Sequence, residues 1–100
     1  MLIVREVVTT KPGQASKLAK LFKKVFASDP TARVMTDMVG NYNTVVVETE
    51  VKNLAEFEKK MEEARSGKPD PKMDPQVMEE ISKCTEMYMT GRREIYQVVE

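Results

Sequence analysis

TVVVETEV, residues 44–51, is the stretch on which the fold turns. Its β-branched residues favour an extended chain, in which side chains alternate between two faces. Val45, Val47, Thr49 and Val51 then point one way, and Val46, Glu48 and Glu50 the other. The first set suits a buried face. The second is apolar at one end and acidic at the other, which fits open water, a polar pocket or a subunit interface, and each of these implies a different role.

Reading outward from this strand, GNYN at 40–43 supplies turn residues, and ARVMTDMV at 32–39 reads as the strand that pairs with it in a hairpin. SDP at 28–30 stops a preceding helix. In that helix Ala15, Leu18, Ala19, Phe22, Val25 and Phe26 form one apolar stripe, with Lys17, Lys20, Lys23 and Lys24 on the solvated side. KPGQ at 11–14 is a turn, and LIVREVVTT at 2–10 is the first strand rather than a signal peptide, since no basic lead segment precedes it. On the C-terminal side, Asn53 with Glu56 three residues later is a capping box for a helix whose apolar face is Leu54, Phe57, Met61 and Ala64. SGKPDPKMDP at 66–75 reads as a loop, a simple connector or a lid over a pocket. Asp74 and Pro75 open a third helix with Val77, Met78, Ile81, Cys84, Tyr88 and Met89 on its apolar face, ended by Gly91. RREIYQVV at 92–99 is the last strand. The order β-α-β-β-α-α-β predicts a single α+β domain over residues 1–100. It is a ferredoxin-like four-stranded antiparallel sheet, strand order 4-1-3-2, with helices on one face.

Composition narrows the chemistry. The 100 residues hold 41% hydrophobic and 32% charged side chains with a net charge of zero, as in a globular protein. No basic cluster suggests a nucleic-acid or anionic-membrane surface, and strands 1 and 3 carry no aromatic side chains for stacking RNA bases. No apolar run approaches the roughly 20 residues of a membrane span. One cysteine, Cys84, permits no internal disulfide and suits a reducing, cytoplasmic location. The chain has no histidine and no tryptophan, so imidazole-based catalysis and histidine ligation of a metal or haem are excluded for this chain acting alone. No metal and no resident cofactor are expected.

Helices cover one side of such a sheet, yet both faces look apolar. Ile3 and Val7 oppose Leu2, Val4 and Val8, Met35 and Val39 oppose Val34 and Met38, and Ile95 and Val99 oppose Tyr96 and Val98. A large exposed apolar face is unusual for a monomer, so a homodimer is expected to cover it. Arg5 in strand 1 then lies near Glu48 and Glu50 in strand 3, either between two sheets or as a surface ion pair.

Three segments carry a resemblance: REVVTTKPGQASKLAKLF at 5–22, VGNYNTVVVETEVKNLAEFEK at 39–59, and GRREIYQVV at 91–99. A strand running into Lys-Pro-Gly and an amphipathic helix, a Leu-Ala-Glu-Phe helix after strand 3, and a late Gly-Arg-Arg-Glu strand resemble the dimeric α+β barrel superfamily. Within it they are similar to the NIPSNAP-like and antibiotic-biosynthesis-monooxygenase-like families. The resemblance implies face-to-face sheets in a homodimer and, in each subunit, a sheet-helix pocket for a small apolar or aromatic molecule. It also implies cofactor-independent monooxygenase chemistry as one use of that pocket. The haem-degrading members use a histidine, which this chain lacks. The Pro-Gly turn before the first helix also resembles ACT regulatory domains, so a non-catalytic ligand-binding module, or a purely structural dimer, is the alternative.

No catalytic residue is assigned from sequence. The candidate ligand-binding residues are Arg5, Glu48, Tyr96, Met38 and Tyr88: two charges, two phenols and one of eight pliable methionines. Of the tyrosines, Tyr96 is the first choice, because it is placed mid-strand where a pocket floor would lie.

Overall fold

A computed structural model describes residues 1–66 and 74–100, so most of the expected 66–75 loop, and its reading as a lid, lies outside the described residues. The elements are β1 (Leu2–Thr10), α1 (Ala15–Val25), β2 (Arg33–Thr36), β3 (Thr44–Val51), α2 (Leu54–Arg65), α3 (Pro75–Ser82), a 3-10 turn (Cys84–Met87) and β4 (Tyr88–Gln97). The sheet order β2-β3-β1-β4 is the expected 4-1-3-2, and every pairing is antiparallel.

The opening stretch behaves as its alternation requires. Val45, Val47 and Val51 are buried against the helices, together with Val4 and Val8 of β1. Leu18, Leu21 and Phe22 of α1 pack on them, and Val77 and Cys84 close the core from the far side. Val46, Glu48 and Glu50 lie on the opposite face, which no helix among the described residues covers. In the register, Arg5 stands directly across from Glu48, and Arg5 Nε lies 3.5 Å from Glu48 Oε2.

Local chemistry sets the element ends. Asn53 Oδ1 accepts the Glu56 amide at 2.9 Å, and Glu56 Oε2 reaches back to the Lys52 amide, one residue beyond the usual partner. Asp74 Oδ1 accepts the Gln76 amide at 2.8 Å, and Pro75 fills the first helical position. Gly13 holds φ +82°, a left-handed turn that glycine adopts without a Cβ clash, and the chain then enters α1.

Three sequence expectations are corrected. Strand 2 was expected over 32–39 but ends at Thr36, because Asp37 turns inward and its Oδ1 accepts the Thr44 amide at 3.0 Å. Asn43 completes this turn at φ 61°, and Met38 and Val39 are left 95% and 96% exposed in the turn rather than in a strand. The third helix was expected to run to Met89 but stops at Ser82, whose hydroxyl donates to Glu79 O at 2.6 Å. β1 then captures the chain: Lys11 N–H donates to Met87 O at 2.8 Å and Thr10 pairs with Tyr88. Consequently Gly91 is inside β4, opposite Val8, and does not cap a helix. The last strand begins at Tyr88 and ends at Gln97, which leaves Val98 and Val99 beyond it.

These shifts change the uncovered face. It carries Ile3, Val7, Val46 and Met35 near its centre, but β4 contributes Arg92, Glu94 and Tyr96. Its apolar part is confined to Ile3 and Val7 of β1, Val46 of β3 and Met35 of β2, with Arg5, Glu48 and Glu50 beside them, and does not extend across the whole sheet as the sequence pattern implied.

Candidate pocket between sheet and helices

A cavity of about 340 Å³ lies between the helix-covered face of the sheet and the three helices. Val4 and Val47 with Thr49 and Val51 form its floor, α1 supplies Phe22, Val25 and Phe26, and α2 supplies Phe57, Met61 and Ala64. Ile81 and Cys84 close the α3 side. The aromatic walls follow from helical spacing. Phe22 and Phe26 are four residues apart on one face of α1, and their rings meet edge to face with centroids 6.4 Å apart.

Polar groups converge on this cavity from two strands. Glu6 occupies the helix-facing phase of β1 between Val4 and Val8, and its partner in β4 is Arg93. Arg93 Nε donates to Glu6 Oε1 at 2.7 Å, and the guanidinium lies over the Phe57 ring, 5.8 Å from its centroid. Both side chains remain 32–41% exposed, so the pair contributes little to stability, within about 1 kcal/mol. What it fixes is orientation: a carboxylate and an aromatic face hold one planar cation at the cavity wall. Tyr88 joins the same wall. The Cys84 thiol donates to its phenol oxygen at 3.7 Å, which leaves the phenol's own proton for another acceptor. Burial, then the Cys84 thiol, then the charge of Glu6 push the Tyr88 hydroxyl well above the usual tyrosine range, so it acts as a neutral donor.

The residues singled out from sequence do not form one site. Tyr88 lines the cavity, whereas Arg5, Glu48 and Tyr96 lie on the uncovered face of the sheet. There Tyr96 is half-exposed and its hydroxyl donates to Glu94, which lowers the Glu94 pKa and raises that of Tyr96. Met38 sits in the exposed turn after β2 and borders a concavity of about 400 Å³ on the uncovered face, with Val7, Met35, Val39 and Val46. Sequence reasoning missed Glu6, Arg93 and Phe57 as a group. The available signal was phase: Glu6 is the one charged residue on the core-facing side of strand 1, and an antiparallel partner of opposite charge was waiting in RREIY.

A larger depression of about 720 Å³ lies where the end of α1 meets β2, lined by Lys20, Lys23, Lys24, Phe26 and Asp29 among others. It is open, its three lysines are solvated, and no polar groups converge in it. Among the described residues no group of three or more acidic or cysteine side chains could hold a metal ion, and no helix is long and apolar enough to cross a membrane.

No protein-family model matches the sequence, and no curated protein matches it. Solved structures do match its fold. A NIPSNAP family protein from Agrobacterium tumefaciens superposes with a TM-score of 0.76 at 8% identity, covering 99% of this chain and 86% of that one. An uncharacterized NIPSNAP domain protein from Burkholderia xenovorans gives 0.69 at 14% identity, covering 99% and 95%. An antibiotic biosynthesis monooxygenase gives 0.65 at 12% identity, covering the whole of both chains. The chain therefore has the α+β ferredoxin-like fold that NIPSNAP family proteins and antibiotic biosynthesis monooxygenases share.

Proposed function

We propose that this chain binds a small apolar or aromatic molecule in the sheet-helix cavity and does so as a homodimer joined through the uncovered sheet face. The observation that carries the binding reading is a cavity with three phenylalanines and aliphatic walls on which Glu6, Arg93 and Tyr88 converge. Its volume is near the lower end of the usual range for ligand sites, roughly 300–1,000 Å³, and fits a molecule of one or two rings. The apolar walls would supply affinity, and the three polar groups would set the ligand's orientation. The dimer reading is supported by Val46 and Met35, partly exposed on the uncovered face beside the already buried Val7, and by Met38 and Val39, which border the same concavity nearly fully exposed.

A catalytic form of this reading is cofactor-free oxygenation of a hydroquinone-like molecule. One observation favours it: Glu6 Oε2 has no hydrogen-bond partner among the described residues, and it shares a wall with the Tyr88 hydroxyl. A carboxylate and a phenol on one wall can hold the hydroxyl groups of a dihydroxy-aromatic ring.

The test is a thermal-shift screen of one- and two-ring aromatics, followed by oxygen-electrode measurements with hydroquinones on each compound that binds. Expected is a rise in Tm that Ala64→Phe, which fills the cavity, abolishes. No stabilising compound in the screen, or stabilisation that survives Ala64→Phe, overturns the binding reading. Binding without oxygen uptake overturns only the catalytic form.

A further inference from the structure

A net charge of zero hides a segregation of charge along the chain. Residues 11–28 hold five lysines and no aspartate or glutamate. Four of them, Lys17, Lys20, Lys23 and Lys24, are exposed on α1. The ion pairs among the described residues take their cations from elsewhere: Arg5, Lys60, Lys83, Arg92 and Arg93. Folding does not account for this placement. Lys23 and Lys24 in the last turn suit the negative end of the helix dipole, but Lys17 stands in the first turn, where the dipole opposes a cation and no acid offsets it. Lys20 lies three residues from Lys17 and Lys23 and four from Lys24, spacings at which like charges on a helix repel. The same lysines border an apolar hollow. Lys20, Lys23 and Lys24 line the depression of about 720 Å³ between α1 and β2, together with Phe26, Ala27, Ala32 and Val34. Ala27 is exposed and the other three are only partly buried, so the chain's own packing does not close this apolar lining. The one acid in the lining, Asp29, has its Oδ1 taken by the Thr31 amide at 2.8 Å and the Thr31 hydroxyl at 2.6 Å. Three cations against one carboxylate leave an excess of positive charge around the hollow.

From this combination we infer that the depression docks an acidic segment of another protein, which seats an apolar side chain on Phe26 and Val34 and sets its carboxylates against Lys20, Lys23 and Lys24. Opposite charge steers such a segment to the helix and fixes which segments are accepted, while the apolar contact supplies a dry centre. The hollow separates this partner from other polyanions. A nucleic-acid backbone presents phosphates with no apolar side group to fill the depression, and a bilayer surface is flat where this surface is concave. The acids of α2 and α3 in a second copy are poorer partners, because Glu56 and Glu79 are already matched by Lys60 and Lys83 on their own helices. α1 packs on the side of the sheet opposite the proposed dimer contact, so the surface stays open in a dimer.

The test titrates isotope-labelled protein with the peptide acetyl-Glu-Glu-Leu-Glu-Glu-amide and follows backbone amide shifts by NMR. Expected are shifts concentrated over residues 17–34, and a Kd that rises about tenfold between about 0.01 M and 0.1 M salt, as the Debye length falls from roughly 30 to 10 Å. Lys20→Glu combined with Lys24→Glu should weaken binding by about tenfold or more, and Lys59→Glu on α2 should leave it unchanged. All three lysines are exposed and none lines the sheet-helix cavity, so these variants should fold, which far-ultraviolet circular dichroism checks. Should the double reversal unfold, Lys20→Gln with Lys24→Gln gives the same reading with a loss of about threefold. Serine in place of the peptide's leucine should also cost about tenfold, the share of the apolar contact. The inference is overturned by an absence of shifts, by shifts spread equally over α2 and α3, or by binding indifferent to Lys20 and Lys24 or to the leucine. It is overturned equally by a DNA duplex or a phosphatidylserine vesicle that shifts the same amides more strongly than the peptide at equal negative charge.

Discussion

Phe22→Ala separates the two parts that this side chain plays. Phe22 is 4% exposed, belongs to the core with Leu18, Leu21, Val45 and Val47, and also forms one wall of the sheet-helix cavity. Removing a buried Phe ring costs about 3–5 kcal/mol, which includes loss of its edge contact to Phe26. Roughly 100 Å³ of new void, at ~24 cal/mol per Å³, accounts for ~2.4 kcal/mol of that if the walls do not relax. A loss near 4 kcal/mol lowers Tm by about 16–32 °C in a domain of this size. A total stability of about 5–15 kcal/mol leaves the variant folded at room temperature. Leu18→Ala, one turn earlier and fully buried, should cost a similar ~3–5 kcal/mol, but Leu18 does not line the cavity. The distinguishing readout is rescue. Indole at 100 times its Kd restores about 2.7 kcal/mol to any protein that binds it only when folded. Urea denaturation followed by circular dichroism should show indole stabilising Phe22→Ala more than wild type and leaving the deficit of Leu18→Ala in place. A loss below about 1 kcal/mol for Phe22→Ala, or equal rescue of both variants, refutes the assignment of this ring to both core and cavity.

Two further predictions concern protonation. The Tyr96 hydroxyl and then Arg92 hold Glu94 below its ordinary 4.5, so its contribution is full above that value and is lost as pH falls through the lower folded value. Melting temperature should fall as the solution is acidified below pH 4.5, and Glu94→Gln should flatten that fall; an unchanged slope would contradict the assignment. Tyr88 is shifted the other way, by burial first, so its contribution is complete below its ordinary 10.0 and is lost as pH rises through the higher folded value. In a spectrophotometric titration of tyrosinate, Tyr88→Phe should remove the step at highest pH, and a titration that keeps this step would refute the burial of that hydroxyl.

Much of the architecture was legible in particular residues. The alternation in TVVVETEV, the apolar stripe from Ala15 to Phe26 and the caps at Asn53 and Asp74 each depend on neighbours within a few positions, and all appear where local rules place them. The errors came where a distant segment decided the outcome. The pattern of Cys84, Tyr88 and Met89 suits a helix face, but Thr10 and Lys11 of β1 draw this segment into the sheet. Met38 and Val39 look like strand residues until Asp37 bonds to the Thr44 amide seven positions away. The candidate site suffered most. Arg5, Glu48 and Tyr96 stand out in the sequence for their chemistry and mid-strand position, but whether a strand residue faces helices or the open side depends on register, and shifting one position exchanges the faces. Glu6 and Arg93 are adjacent only because β1 and β4 pair, a relation spanning 87 residues.

The roof of the cavity has a mechanical consequence. No residue of α2 is buried, and its Phe57, Met61 and Ala64 border the cavity rather than a packed core. The helix is anchored at its first turn through Asn53 and Glu56, and its last turns hold little interior surface in place. Amide protons along α2 should therefore trade with solvent deuterium ahead of those in β1 and β3, and a guest that fills the space beneath them should slow that trade there first.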